Sequence, residues 1–243
     1  MSSRSPGPPA FGGILFDLFG TLIPTGVQSK RLRSLREMGE LLGVDPEPFA
    51  QRWLACFDAR VRGTMGSIEE TVGQLARSLG GRPDPAAVAR AVALRLDFTR
   101  GLLRSTDSVL SALDDLRHDG VRLALVSDTS EETVRVWPET ALASRFEATV
   151  FSCVEGIRKP DPRIYYRALE RLGLPATACA YVGDGGSHEL SGARAVGLSP
   201  FQFRFPGESD DVAYRVDFDV DWTGPRLVEL SELRRGTALP TGE

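Results

Sequence analysis

Short apolar runs that end in polar clusters, separated by amphipathic helical stretches, constrain this chain more than any other feature. Residues 13–16 form such a run, which meets the polar Asp17 and then the turn-forming Gly20. Residues 121–126 lead into Ser127, Asp128, Thr129 and Ser130, which have the polarity of a loop plus a helix N-cap. Residues 147–151 precede a loop at 156–162, and residues 178–182 precede Gly183, Asp184, Gly185 and Gly186. Helical patterns occupy 108–116, 162–172 and 187–196. Parallel strands need crossover helices, so the alternation predicts an α/β fold with a Rossmann-like parallel sheet core covered on both faces. Segments 200–203 and 217–221 are expected to add strands, and 227–233 the last helix.

The interval from about Gln28 to Thr99 breaks this rhythm. Leu35, Met38, Leu41 and Leu42, then Phe49, Trp53 and Phe57, recur at helical spacing with no strand signal. It reads as an inserted all-helical cap at 27–99, dividing a core of 11–26 and 100–235. Entering after the first strand, it is expected beside the carboxyl ends of the strands, where open sheets bind ligands. Pro6, Pro8 and Pro9 mark 1–10 as a loose leader, and 236–243 as a tail is expected to fray.

A chain of 243 residues is ample to bury a core without disulfides. Its three cysteines, Cys56, Cys153 and Cys179, form no CxxC pair and read as small reduced core residues. With 29 basic and 33 acidic residues the formal charge is -4, leaving no positive field to hold a nucleic acid. No apolar stretch approaches the roughly 18 residues of a membrane span, and no signal-peptide pattern opens the chain, so a cytoplasmic location is expected.

Parallel strands would bring four polar clusters to one edge: Asp17 to Thr21, Ser127 with Asp128, Arg158 with Lys159, and Asp184 through Glu189. Singly each has an ordinary reading, as a turn, a cap or a solvated loop charge. Together they offer a nucleophile, an anion binder and a metal site.

The ordered set resembles the haloacid dehalogenase superfamily. Its first motif is matched by Phe16, Asp17, Leu18, Phe19, Gly20, Thr21 and Leu22, and its second by Val126 and Ser127. The third is matched by Lys159 within Arg158 to Pro162, and the fourth by Gly183, Asp184 and Glu189. The resemblance implies that Asp17 is the nucleophile of a covalent aspartyl intermediate. It implies that Ser127 and Lys159 hold the anion, with Thr21 and Asp128 beside them in the substrate site. It further implies Mg2+ bound by Asp17, Asp184 and the backbone carbonyl of Phe19, with Glu189 reaching the ion through water or pairing with Lys159.

Position 19 departs from the pattern, because phosphatases of this superfamily place there a second Asp that protonates the leaving group. Dehalogenases carry an aromatic residue there, and they need no metal. The acidic pair Asp184 and Glu189 argues the other way, since three carboxylates beside one Lys repel unless a cation or protonation intervenes. The reading is therefore a magnesium-dependent phosphatase for a small phosphorylated, anionic substrate, working as a monomer or homodimer. The alternatives are a metal-free 2-haloacid dehalogenase and a non-catalytic binding protein of the same fold.

Remaining features take plainer readings. Tyr165, Trp53 and Phe57 read as core aromatics, and His188 and His118 as surface residues. Arg31, Arg33 and Arg36 read as a wet helix face, although they could meet an anionic substrate.

Overall fold

The computed structural model describes residues 11–26, 28–205 and 218–235; the expected leader and tail lie outside them. Six strands, β1 (Gly13–Phe16), β2 (Arg122–Ser127), β3 (Ala148–Phe151), β4 (Cys179–Gly183), β5 (Ser199–Phe203) and β6 (Arg226–Leu227), form one sheet in the order β3-β2-β1-β4-β5-β6. Every neighbouring pair is parallel. Chain order reverses between β1 and β4, which opens a crevice at the carboxyl ends of the two central strands. Phe16 pairs with both Leu125 and Val182, so Asp17, Ser127 and Asp184 emerge within two residues of one another at that crevice.

Alternation along the strands sends side chains to opposite faces. Ile14 and Phe16 join Leu123, Leu125 and Val182 in one apolar cluster with α6 (Asp107–His118). Leu15 joins Ala124, Val126 and Tyr181 in a second cluster with α9 (Pro162–Leu172) and α10 (Glu189–Ala195). The bounds of α9 match the sequence reading because its ends are encoded locally. Asp161 caps the Arg163 amide, Pro162 occupies the first turn, and Gly173 closes the helix at φ 61°.

Between β1 and α6 the described residues form no strand and carry five helices: α1 (Gln28–Leu41), α2 (Pro46–Ala55), α3 (Phe57–Val61), α4 (Ile68–Ser78) and α5 (Pro85–Leu102). They carry an apolar cluster of their own, with Leu35, Met38, Phe49, Trp53, Val72 and Ala91 at its centre. This insertion is seated on α7 (Glu131–Val136) and α8 (Ser152–Glu155) of the sheet domain. The Glu131 carboxylate accepts from the Ile68 amide at 2.5 Å, and Arg135 pairs with Glu69 at 2.7 Å. At Gly63 a Cβ would lie 2.1 Å from the Cys153 carbonyl, so this contact requires glycine.

Three segments differ from expectation. Of 217–221, Asp217 lies outside the described residues and 218–221 is a turn, not a strand. The alternation of Phe218 and Val220 with acids misled: Val220 is 80% exposed, and Asp219 is buried because its carboxylate accepts from the Leu190 amide at 2.8 Å. The helix expected at 227–233 is present only in its second half and not as an α-helix: Leu227 ends β6, and a 3-10 helix over Leu230–Arg235 buries Leu230 and Leu233. The helix expected at 187–196 starts only at Glu189, after Ser187 and His188 adopt φ of 55° and 50°. Of the three cysteines, all free, Cys179 is buried, whereas Cys56 and Cys153 are half-buried at the edges of two apolar clusters.

Candidate active site

Asp17 leaves β1 with its amide bonded to the Val182 carbonyl at 2.9 Å, then the chain turns sharply. Gly20 makes that turn at φ 87°, and the amides of Thr21, Leu22 and Ile23 all converge on the Leu18 carbonyl. The turn aims the Asp17 carboxylate at the crevice, where Thr21 Oγ1 donates to Oδ2 at 3.3 Å and Lys159 Nζ to Oδ1 at 2.5 Å.

Lys159 is the hub of a buried network. Its Nζ also reaches Glu189 Oε2 at 2.5 Å and the Tyr181 hydroxyl at 3.3 Å, while that hydroxyl donates to the same Glu189 oxygen at 2.7 Å. Glu189 Oε1 accepts from the Gly185 amide at 2.9 Å, so both oxygens of Glu189 have partners within the protein. A Cβ at Gly183 would fall 2.2 Å from Glu189 Oε1, so only glycine there allows the carboxylate this close to β4. The left-handed Ser187 and His188 deliver Glu189 inward; such conformations cost of order 1–3 kcal/mol each and persist where the surroundings fix them. Asp219 supplies part of that fixing by capping α10, and Ser187 Oγ accepts from Arg158 Nη2 at 3.0 Å.

Asp128 joins the second and third loops: its carboxylate accepts from the Lys159 amide at 3.0 Å and from Arg158 Nε at 3.3 Å. Asp184, buried at the end of β4, accepts from the Gly186 amide at 2.9 Å. Oxygens of Asp17, Asp184 and Glu189 lie within 4.8 Å of one another, all three residues buried. Burial pushes the Asp17 carboxyl well above the usual carboxylate range, with Glu189 and Asp184 adding repulsion that Lys159 only partly offsets. Burial works against the Lys159 charge, but Asp17, Glu189 and Asp128 hold its ammonium well above the ordinary lysine range. Ser127 is fully buried, and its Oγ has no hydrogen-bond partner among the described residues.

A cleft of about 160 Å³ lies between this edge and the helical insertion. That is about the volume that holds a benzene molecule, which suits a small substrate. Asp17, Lys159, Asp184, Asp128 and Phe19 line it.

The structure thus gathers Asp17, Thr21, Asp128, Lys159, Asp184 and Glu189 at the edge where the sequence put them, with Ser127 buried beside them. The arginines divide. Arg31 lines the cleft 6.0 Å from the centre of the Phe19 ring, whereas Arg33 and Arg36 pair with Glu37 and Glu47 at the surface. His118 and His188 are exposed. Tyr165 is core, donating from its hydroxyl to the Glu189 carbonyl at 2.9 Å. Trp53 belongs to the apolar cluster of the insertion and also forms cleft wall.

Sequence reasoning missed Tyr181, Asp219, Arg60, Arg95 and Glu132. Tyr181 sits inside a strand and Glu132 inside a polar helix start, and neither pattern signals a partner distant in the chain.

Comparison with known proteins agrees with this geometry. Residues 11–197 match haloacid dehalogenase-like hydrolases. The chain is 29% identical over 231 residues to the glyceraldehyde 3-phosphate phosphatase of Methanopyrus kandleri, covering 93% of this chain and 97% of that one. Among solved structures it is similar to CbbY from Rhodobacter sphaeroides in complex with phosphate, at a TM-score of 0.58, 23% identity and coverage of 92% and 96%. It is also similar to the L-2-haloacid dehalogenase of Xanthobacter autotrophicus with chloropropionic acid covalently bound, at a TM-score of 0.60, 18% identity and coverage of 93% and 97%. Four strand-end clusters in order, a parallel sheet reversing at Asp17 and a family match spanning most of the chain place it among the haloacid dehalogenase-like hydrolases.

Proposed function

We propose that this hydrolase is a magnesium-dependent phosphatase of small phosphomonoesters, acting through a phosphoaspartyl intermediate on Asp17. One observation carries the reading: three buried carboxylates gather around a single ammonium, leaving a formal deficit of two positive charges at the nucleophile. Hard oxygen donors in that state fit a divalent cation such as Mg2+. Asp17, Asp184 and the Phe19 carbonyl would hold it, while Glu189, engaged by Lys159, Tyr181 and Gly185, would hold Lys159 in place. Bound there, the ion would offset the repulsion between a carboxylate nucleophile and a phosphate dianion.

The chain's own residues account for the remaining steps. An Asp17 oxygen attacks phosphorus, the bond to the ester oxygen breaks, and water then cleaves the aspartyl phosphate to release inorganic phosphate. Lys159 restrains the attacking carboxylate and offsets charge on the transferring group. The unpartnered Ser127 hydroxyl is suited to donate to a phosphoryl oxygen. Phe19 cannot donate a proton, so the leaving oxygen takes one from solvent or from the substrate, and esters with leaving groups of low pKa should react fastest. The name of the Methanopyrus relative supports a small phosphate ester as substrate.

Phe19 in the cleft wall beside Asp17 favours a second reading, 2-haloacid hydrolysis, in which the departing halide needs no proton. The two separate by assay. Phosphate release from aryl and acyl phosphates should stop with a chelator, return with Mg2+ and vanish in Asp17→Asn. Chelator-resistant halide release from 2-haloacids, without phosphate release, would overturn the phosphatase.

A further inference from the structure

The insertion side of the cleft carries a second charged cluster that the steps at Asp17 do not use. Arg60 on α3 and Arg95 on α5 meet one carboxylate, Glu132 on α7: Arg95 Nη2 lies 3.0 Å and Arg60 Nη1 3.5 Å from the same oxygen, Oε1. The three side chains are 7%, 9% and 5% exposed. Two guanidiniums against one carboxylate leave one positive charge in surplus where water is largely excluded, a costly arrangement unless something else satisfies it. Burial pushes the Arg95 guanidinium below its ordinary range; Glu132 offsets this in part and Arg60 adds to it.

The cluster is held rigidly. Arg60 and Arg95 lie 4.5 and 5.3 Å from the centre of the Trp53 ring, and Arg60 also donates to Ser130 Oγ at 2.9 Å and to the Trp53 carbonyl at 3.3 Å. The Arg60 Nε–H, itself buried, has no acceptor among the described residues. A clamp serving only to dock the insertion would be balanced by one guanidinium for one carboxylate. Here the surplus charge forms wall of the same cleft as Asp17 and Lys159.

We propose that Arg60 and Arg95 form a subsite for a second anionic group, so that the preferred phosphomonoester carries a carboxylate or a second phosphate at the end remote from the phosphorus attacked. Forked guanidiniums suit both groups. The substrate class rests on the phosphatase reading of Asp17, whereas the anion subsite itself does not.

Matched substrates test it: phosphoglycolate against its primary amide, and propanediol bisphosphate against the monophosphate. The wild-type chain should prefer the anionic member of at least one pair by about ten- to a hundred-fold in kcat/KM, the pair that responds identifying the group. In Arg95→Gln and Arg95→Lys that ratio should fall, further for Gln, with the change in KM. Wild-type ratios near one in both pairs would overturn the subsite without recourse to any variant. If no phosphomonoester is hydrolysed, the phosphatase reading fails and the subsite is decided by calorimetry on the Asp17→Asn chain. There, tighter binding of phosphoglycolate than of its amide upholds it, and equal binding, or none of either, overturns it.

Discussion

Glu132 offers the sharpest test of how the insertion is held on the sheet domain. Its carboxylate is buried against Arg60 and Arg95, and although burial alone would raise its pKa, the two guanidiniums draw it down from the ordinary 4.5 to about 2. Because the folded state binds this proton less readily than the unfolded chain, the contribution is fully present above pH 4.5 and is lost as the pH falls towards 2. That interval, at about 1.4 kcal/mol per pH unit, comes to about 3 kcal/mol. Replacing Glu132 by Gln keeps a hydrogen-bonding group and removes the charge, leaving two buried guanidiniums with no anion. Breaking a buried pair in this way costs about 3–5 kcal/mol, which agrees with the linkage value. Urea unfolding followed by circular dichroism should therefore show Glu132→Gln less stable than wild type by about 3 kcal/mol at pH 7. Between pH 4.5 and 2 the gap should close, because the wild type loses what the variant never had. A gap that stays constant over that range, or no gap at pH 7, would refute the argument that charge on Glu132 holds this junction.

Three further outcomes follow from the site. Phe19→Asp restores an acid next to Asp17 and should raise turnover of alkyl phosphates, whose leaving groups need a proton, by up to about a hundred-fold, with little gain for aryl phosphates, read by phosphate release across a leaving-group series. Gly183→Ala places a methyl group against Glu189 and should cost about 1–3 kcal/mol in urea unfolding, together with a loss of turnover as Lys159 is displaced. Asp184→Asn should weaken Mg2+ binding in calorimetry by at least about tenfold while leaving the circular dichroism spectrum unchanged.

Where a local pattern carried the structure, the sequence was legible. The apolar run before Asp17, the Asp161 and Pro162 start of α9 and the helical spacing from Leu35 to Phe57 each act within a few residues, and each formed as expected. Segments 217–221 and 227–233 misread because partners distant in the chain set their geometry: Asp219 turns inward to cap α10, and Arg226 and Leu227 pair with Gln202 and Phe203. The same limit applied to the site. Asp17, Ser127, Lys159 and Asp184 were readable because strand ends in a parallel sheet share one edge. Tyr181, Glu132, Arg60 and Arg95 were not, because their roles come from crossing between layers.

By itself, then, the sequence determined the sheet, the helical stretch that follows its first strand and the polar groups gathered at one sheet edge, because period, caps and strand-end polarity are local properties. Only the tertiary structure decided that Glu189 engages Lys159 and that two arginines share one glutamate where the insertion meets α7. Charge balance in a buried site depends on distances between residues up to 142 positions apart, and no spacing along the chain encodes those.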